Sequence, residues 1–207
     1  MSDFQRDEEW YEARRGRATA SRFRDVMAKG RGGGESATRA AYKAQLVLER
    51  VTGQITEGFT SAAMQWGIDN EPHAVLAYMD ATGRNVDDAA FIQHPTLMAG
   101  ASPDGLVGMD GLIEIKCPNS HTHLETLRRG TIPSEYIPQT QGQLWIVGAD
   151  WLDFVSFDPR FPEASRLFVY RVERDEKYIK ELESQVARFL EEVAAETEFL
   201  LNYEGTQ

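Results

Sequence analysis

The sequence predicts an α/β (α+β) fold in which a central mixed β-sheet is flanked by helices. Three observations lead to this prediction. The first third of the chain carries capping residues and helix-like spacing, the middle carries short apolar segments bounded by Gly and Pro, and the end carries one long amphipathic stretch. This mixed order is typical of a sheet that is covered by helices.

The N-terminal part, residues 1–83, is predicted to be helical. Thr19 and Ser21 offer hydroxyl caps, and Gly53 and Gly83 are suited to end the two longer helices. The expected helices cover residues 10–15, 21–28, a segment from 36 or 38 to 52, and about 60–82. The glycine-rich segment 30–34 is predicted to be a flexible loop.

The catalytic sheet is expected within about 86–173 and the C-terminal helix within about 174–201. Apolar segments in the first of these ranges are separated by turn residues, and Pro118 ends one of them. The tail carries apolar residues at helical spacing. The expected strands cover 86–94, 96–101, 111–118, 151–157 and 166–172, with helices near 120–129 and 134–147.

Length and composition favour one domain, residues 1–207. One cysteine excludes a disulfide framework and any zinc or iron–sulfur site built from several cysteines. The first nine residues are too acidic for a signal peptide, and no apolar run approaches the ~18 residues of a membrane span. These observations predict a protein of a reducing cytosol.

The net charge of −11 argues against general attraction to nucleic acid, but the charge is unevenly distributed. Residues 1–50 contain 11 basic and 8 acidic side chains, whereas the rest of the chain is acidic. Within 14–31 there are seven basic residues and only one acid, Asp25. This segment is interpreted either as a solvated basic face or as a local phosphate site.

The most informative segment contains two carboxylates, Asp104 and Glu114, that lie ten residues apart with three glycines between them. Two short strands joined by a glycine-rich hairpin would bring both carboxylates to one end of the sheet. Glu114 and Lys116 share one face of a strand, while Ile113 and Ile115 point to the other face, into the core. Burying an acid and a lysine on an otherwise apolar strand costs free energy, so a compensating interaction is expected.

A hard divalent cation would provide this compensating interaction. Mg²⁺ takes carboxylate oxygens and bridges to a substrate phosphate, so Asp104 and Glu114 are predicted ligands. Lys116 would hold or help to deprotonate a metal-bound water and stabilise the transition state. The alternative is a Glu114–Lys116 ion pair on a half-exposed strand, which would contribute little.

The pattern from Pro103-Asp104 to Glu114-Ile115-Lys116 resembles the PD-(D/E)XK nuclease signature. Four further segments resemble one branch of that superfamily, the phage-type alkaline exonucleases typified by lambda exonuclease. They occur in family order and cover nearly the whole chain, at residues 10–21, 66–71, 136–141 and 174–178. The resemblance implies a restriction-endonuclease-like PD-(D/E)XK core.

The resemblance also implies roles for individual residues. Arg14, Ser21 and Ser102 match a pocket for a 5′-terminal phosphate, to which an arginine fork and hydroxyl donors are chemically suited. The alternatives are a surface arginine in a basic run for Arg14 and a helix N-cap for Ser21. Arg15 and Arg17 depart from the family pattern, which is apolar at these positions.

Further matches concern the active site and the separation of the strands. Glu71 matches a third active-site acid, and Gln139 a residue that supports the catalytic water and lysine. The alternative for each is a solvated helix side chain. Met64 matches an apolar wedge between the terminal base pairs, with core packing as the alternative. The implied metal ligands are Asp104, Glu114, Glu71 and Ile115.

The implied function is a Mg²⁺-dependent 5′→3′ exonuclease on linear double-stranded DNA, with Mn²⁺ as a substitute metal. It would leave a 3′ single-stranded tail for single-strand-annealing recombination. The family assembles as a ring-shaped homotrimer and works beside an annealing protein, in a bacterial cytosol and with a phage or prophage origin. Two alternatives are a sequence-nonspecific endonuclease of the same superfamily and a catalytically silent DNA-end-binding subunit.

The histidines and the cysteine are not assigned to the site. His121 and His123 are two residues apart and do not face each other on a helix, so surface or capping roles are expected. Cys117 is expected to be a small buried hydrophobic residue.

Overall fold

The computed structural model describes residues 8–56 and 61–205. Seven helices and seven strands are numbered here in chain order, together with several short 3₁₀ turns. The helices are α1 (Glu8–Arg14), α2 (Phe23–Met27), α3 (Ala37–Thr52), α4 (Ala62–Thr82), α5 (Ser120–Arg129), α6 (Ile137–Val147) and α7 (Glu176–Leu201). The strands are β1 (Ala18–Thr19), β2 (Ile92–Gln93), β3 (Ala99–Ala101), β4 (Gly105–Val107), β5 (Gly111–Lys116), β6 (Trp151–Phe157) and β7 (Leu167–Glu173).

The two long N-terminal helices begin and end at the residues that their caps require. The Ser36 hydroxyl accepts the Arg39 N–H at the start of α3, and Ser61 caps α4 in the same way. Gly53 and Gly83 both take the left-handed conformation that ends a helix. The predicted helices are confirmed, although the expected start of α4 near residue 60 lies outside the described residues.

The segment around residues 18–28 differs from the prediction of one helix over 21–28. A 3₁₀ turn over Ala20–Arg22 precedes a five-residue α2. Before it, β1 pairs in parallel with β3, so the N-terminal part is not wholly helical. A two-residue strand buried among small side chains has no detectable period, which is why the sequence did not reveal it.

The glycine-rich segment 30–34 contains a 3₁₀ turn over Arg31–Gly33, and its predicted flexibility stays a prediction. The Gly30 N–H donates to the Gly34 carbonyl over 2.9 Å, and an isolated bridge joins Lys29 to Glu35. These contacts close the segment into a turn beside α3.

The predicted mixed sheet is present as four strands in the order β4-β5-β6-β7. Strands β4 and β5 form an antiparallel hairpin, β5 and β6 are parallel, and β6 and β7 are antiparallel. A separate three-stranded sheet has the order β1-β3-β2. Strand β5 is therefore an interior strand, between its hairpin partner and a parallel neighbour.

The expected strand boundaries are confirmed closely only for the long strands. Strand β6 covers the predicted 151–157, whereas the predicted strand 86–94 shrinks to β2, with a single further bridge from Asp87 to Leu106. The predicted strand 96–101 shrinks to β3. Short strands depend on neighbours that are distant in sequence, so local pattern overestimates their length.

Helices cover the two faces of the four-stranded sheet. On one face, Ile113 and Ile115 pack with Ala74 and Tyr78 of α4. On the other face, Leu112 packs in a cluster that includes residues of α6 and the start of α7. The side chains of β5 thus alternate between two cores, as predicted for Ile113 and Ile115.

A buried polar cluster fastens α4 to the sheet. The Tyr78 hydroxyl donates to Asp153 Oδ2 over 2.7 Å, and Arg171 Nε donates to Asp153 Oδ1 over 2.6 Å. Asp153 is 1% exposed and requires these partners. The cluster holds α4 in a fixed register against β6 and β7, and α4 also carries Glu71.

His123 is fully buried, and the expectation of a surface or capping role for it was wrong. Its two ring nitrogens lie 2.8 Å from Ser156 Oγ and 2.9 Å from the Ser165 carbonyl oxygen. His121 is exposed. Among the described residues, no helix is long and apolar enough to cross a membrane.

Candidate active site

Asp104 is fixed to the backbone of β5. It lies in the bend between β3 and β4, where its N–H donates to the Ile113 carbonyl over 3.1 Å. Its Oδ2 accepts the Ile115 N–H over 2.6 Å. The β4-β5 hairpin thus brings Asp104 beside the strand that carries Glu114, as the spacing of the two acids predicted.

Glu114 is buried in the middle of β5, with 2% of its surface exposed. Lys116 Nζ and Gln139 Nε2 each donate to its Oε1 over 2.5 Å. Gln143 Nε2 donates to its Oε2 over 2.6 Å. A buried carboxylate needs such donors, and both of its oxygens have them.

Gln143 was not predicted from the sequence. It is 1% exposed and lies one helical turn after Gln139 on α6, so both amides face Glu114. The four-residue spacing of Gln139 and Gln143, which places them on one face of a helix, was the sequence signal that could have identified Gln143. Gln143 Nε2 also lies 3.4 Å from the Ser102 carbonyl oxygen. Its Oε1 is buried and has no hydrogen-bond partner among the described residues.

Glu71 lies on α4 and lines a cleft of about 390 Å³. Lys116, Tyr136 and Met64 line the same cleft. Glu71 is 8% exposed, so it is not the solvated helix carboxylate of the alternative interpretation. Met64 is 54% exposed, which excludes simple core packing for this residue.

The charges of three acids and one lysine determine the electrostatics of the site, namely those of Asp104, Glu114, Glu71 and Lys116. Burial, followed by the charges of Glu114 and Glu71, raises the pKa of Asp104 well above its usual range. Burial by itself lowers the pKa of Lys116. The charges of Glu114 and Asp104 outweigh that effect and raise the pKa above its ordinary value. Lys116 is therefore an ammonium in this site.

Cys117 is partly buried at the edge of the same cleft, close to its predicted role. Burial and the charges of Glu71 and Asp104 raise its pKa to about 12. The thiol is therefore neutral at ordinary pH, which makes it a poor nucleophile.

Arg14 and Ser102 are in direct contact, and Ser102 precedes Asp104 by two residues in the chain. Arg14 Nη1 and Trp10 Nε1 both donate to Ser102 Oγ, over 3.0 and 3.1 Å. The Arg14 guanidinium lies 4.0 Å from the centre of the Trp10 ring, and burial lowers its pKa. Arg14 is thus positioned by packing rather than solvated as a surface arginine would be.

Ser21 lies within the 3₁₀ turn and does not cap α2. Its Oγ lies 3.2 Å from Thr19 Oγ1, at the end of β1 and next to β3 in the three-stranded sheet. Ser102 follows β3 directly. The capping alternative for Ser21 is therefore wrong, and the phosphate role remains a prediction.

The donor set is compatible with a magnesium ion but not with a metal site made only of protein side chains. Among residues 8–56 and 61–205, no three His, Cys, Asp or Glu side chains are grouped so that they could hold a metal. Mg²⁺ is commonly held by one or two carboxylates, with water and substrate phosphate completing its shell. The repulsion between Asp104, Glu114 and Glu71 is what such a cation would relieve. Ile115 can contribute only its backbone carbonyl.

The fold and this site define a protein with a PD-(D/E)XK-like core, in which a mixed sheet flanked by helices carries Asp104, Glu114 and Lys116. Residues 9–150 match the model of the YqaJ-like viral recombinase domain. The chain belongs to this family, which agrees with the resemblance to lambda-exonuclease-type proteins. No curated protein sequence matches the chain significantly.

Solved structures of exonucleases are also similar to this chain. An alkaline exonuclease from Laribacter hongkongensis, LHK-Exo, is 48% identical with a TM-score of 0.87, over 94% of this chain and 96% of that chain. The complex of LHK-Exo with dAMP gives the same values. A phage-related exonuclease from Haemophilus somnus 129PT is 15% identical with a TM-score of 0.67, over 89% and 96%, and shows the shared fold.

We predict that Asp104→Asn stabilises the metal-free protein. The raised pKa means that folding disfavours the ionised carboxylate, so the benefit should be fully present at pH 8 and shrink as the pH falls towards 4, near the ordinary pKa of an aspartate in the unfolded chain. The asparagine oxygen can still accept the Ile115 N–H. Thermal unfolding in EDTA should show a midpoint higher by about 2–4 °C at pH 8.

Asp110→Asn, on the exposed turn of the β4-β5 hairpin, serves as the control for this measurement. Added Mg²⁺ should raise the unfolding midpoint of the wild type more than that of Asp104→Asn. An Asp104→Asn protein that is less stable than the wild type at pH 8 would contradict the electrostatic interpretation of the site.

Proposed function

We propose that this protein is a Mg²⁺-dependent 5′→3′ exonuclease that degrades the 5′ strand of linear double-stranded DNA. The product would be a 3′ single-stranded tail for single-strand-annealing recombination. The observation that carries the proposal is the contact between the buried Glu114 and Lys116, with Asp104 fixed to the same strand. The 48% identity to an alkaline exonuclease supports a nuclease with this site.

Asp104 and Glu114 would hold the Mg²⁺ together with the Ile115 carbonyl, and Glu71, which is not grouped with them closely enough to bind directly, would reach the ion through a coordinated water. Mn²⁺ could replace Mg²⁺, because it accepts the same oxygen ligands. When bound, the cation would lower the pKa of a coordinated water and neutralise charge on the scissile phosphate.

Lys116 acts as a fixed positive charge. Its ammonium lies against Glu114, so it is suited to donate to an attacking water or to a phosphoryl oxygen as negative charge develops there. Gln139 and Gln143 hold the two oxygens of Glu114 in one orientation. Because these side chains are already oriented before the reaction, they do not have to rearrange while it proceeds.

The contact of Arg14 with Ser102 supports the 5′→3′ direction. These two residues would offer a guanidinium fork and a hydroxyl group to a 5′-terminal phosphate, with Ser21 as a third partner. A terminal phosphate held there would place the first internucleotide bond at the metal. Met64, exposed at the mouth of the cleft, is suited to separate the terminal base pair.

A homotrimeric ring would enclose the duplex, and a single-strand-annealing protein would receive the 3′ tail. An acidic exterior would repel DNA, while local arginines and Mg²⁺ bind phosphates inside. This arrangement reconciles the net charge of −11 with a DNA substrate.

A single digestion experiment distinguishes the proposed exonuclease from two alternative functions. A sequence-nonspecific endonuclease would nick closed circular DNA, and a silent end-binding subunit would leave linear DNA intact with or without Mg²⁺. The presence of Asp104, Glu114 and Lys116 argues against the silent subunit. The proposed exonuclease should shorten only linear duplex, from 5′ ends, and only without EDTA.

We predict that Asp104→Ala, Glu114→Ala and Lys116→Ala each lower digestion of linear duplex by about 10²-fold or more. Each variant removes a metal ligand or the fixed cation of the site. Loss of nucleotides from an end-labelled duplex measures the rate, and circular dichroism checks the fold. Lys180→Ala, exposed on α7, is the control. Digestion at the wild-type rate by any of the three variants would refute the assigned site.

Arg14→Ala should lower processivity and remove the preference for 5′-phosphorylated ends. Arg14→Lys should fall between this variant and the wild type, because lysine keeps the charge but loses the fork. Duplexes that differ only in a 5′-phosphate or 5′-hydroxyl measure the preference, and Arg128→Ala, exposed on α5, is the control. The role of Arg14 is wrong if the wild type shows no preference or if Arg14→Ala keeps it.

The assembly is tested by multi-angle light scattering. We expect a mass of about three times 23.3 kDa at micromolar concentration. A stable monomer under these conditions would contradict the proposed ring.

A further inference from the structure

A second cluster of arginines lies on the opposite side of the turn that follows α1. A cavity of about 390 Å³ is bounded there by the turn, the end of α3 and the segment that leads into β3. The charged residues that line it are Glu12, Arg15, Arg17, Glu49 and Arg50. The lining therefore carries one net positive charge in a chain of net charge −11.

Arg50 is held in place on the backbone of Gly16. Its Nε donates to the Gly16 carbonyl over 2.8 Å. Gly16 has a φ of +64°, and a Cβ atom there would lie 2.8 Å from Arg50 Cγ. A glycine is thus required both by the turn and by the close approach of the arginine. The guanidinium of Arg50 is consequently oriented before any ligand binds.

The outer part of this guanidinium lacks a partner. Arg50 Nη2 is buried and has no hydrogen-bond partner among the described residues. Buried polar atoms are nearly always paired, so this atom requires an explanation. Burial, followed by the nearby charge of Arg17, lowers the pKa of Arg50.

The two carboxylates of the cavity already have hydrogen-bond partners. Glu12 pairs with Arg15 at 2.6 Å. Glu49 accepts the Gly16 N–H over 2.8 Å and the side-chain amide N–H of Gln45 over 2.9 Å. Within the part of the chain that the structure describes, neither Arg17 nor Arg50 forms a salt bridge. With Glu12 paired to Arg15, Arg17 and Arg50 together carry one positive charge more than Glu49, the remaining acid of the lining, and this excess favours an anion.

We propose that Arg17 and Arg50 form a second phosphate-binding site, separate from the pocket at Arg14 and Ser102. The ligand is a phosphate group, in the backbone of duplex DNA or in a mononucleotide. The single net positive charge of the lining matches the one negative charge of a backbone diester. The inference rests on the proposed function for its DNA substrate.

The position of the cavity fits a duplex held at both sites. Met98 lines the cavity before β3, and Ser102 contacts Arg14 after it. Met98 and Ser102 are four positions apart in extended chain, so their Cα atoms are separated by about 13 Å. Phosphates on one DNA strand are about 3.4 Å apart along the helix axis, so one short stretch of duplex spans both sites.

The experiment compares Arg17→Gln and Arg50→Gln with Arg129→Gln, an exposed arginine at the end of α5 that loses the same single charge. The double variant is compared with Arg129→Gln combined with Arg128→Gln, which loses two charges. Binding of labelled duplexes with a 5′-phosphate or a 5′-hydroxyl is measured by anisotropy in EDTA, across a series of salt concentrations. Calorimetry with dAMP forms a second arm, and thermal unfolding checks each variant. Arg17→Gln serves if Arg50→Gln is unstable, because no side-chain contact of Arg17 is needed for the fold.

We expect the double variant to bind both duplexes about tenfold more weakly, with a salt slope smaller by about 1 and the preference for the 5′-phosphate unchanged. Loss of dAMP binding with normal duplex binding would also support the site, with a mononucleotide as its ligand. The proposal is overturned if duplex affinity, salt slope and dAMP binding all match those of the control with the same loss of charge. Duplex that binds normally to the wild type but is not degraded with Mg²⁺ would instead refute the proposed function.

Discussion

The structure depends on one costly group, the Glu114 carboxylate buried in an interior strand. A charge at this depth is stable only when its oxygens are hydrogen-bonded and a counter-charge is near. Lys116 supplies the charge, and Gln139 and Gln143 of α6 supply the donors. Helix α6 must therefore lie over β5 in one register. The same contact that satisfies the carboxylate thus also fixes the packing of the helix against the sheet.

Ser102 joins the two halves of the candidate site. Its hydroxyl accepts from Arg14 and its carbonyl lies near Gln143, which in turn holds Glu114. Pro103 and Asp104 follow at once, so the chain passes from the proposed phosphate pocket to the predicted metal ligands within three residues. A displacement at either half would be transmitted through this short, hydrogen-bonded segment to the other.

Within the described residues, the arginines of this acidic chain differ in whether a carboxylate holds them. Most arginines are paired with carboxylates, as Arg39 is with Glu192 and Arg171 is with Asp153. Arg14, by contrast, is held over Trp10 and donates to a neutral hydroxyl. An arginine positioned by packing rather than by an acid keeps its charge for a ligand, so the unpaired cations mark binding positions better than overall composition does.

The sequence by itself determined the fold class, the long helices with their glycine ends, and the shared strand of Glu114 and Lys116, because these features follow from local period, caps and alternation. It did not determine the two-residue strand β1, the burial of His123 or the contact of Gln143 with Glu114. These features depend on partners 29 or more residues away, and no local pattern records them. Only the tertiary structure decided which polar side chains meet, since burial leaves each of them with the few partners that the fold brings within reach.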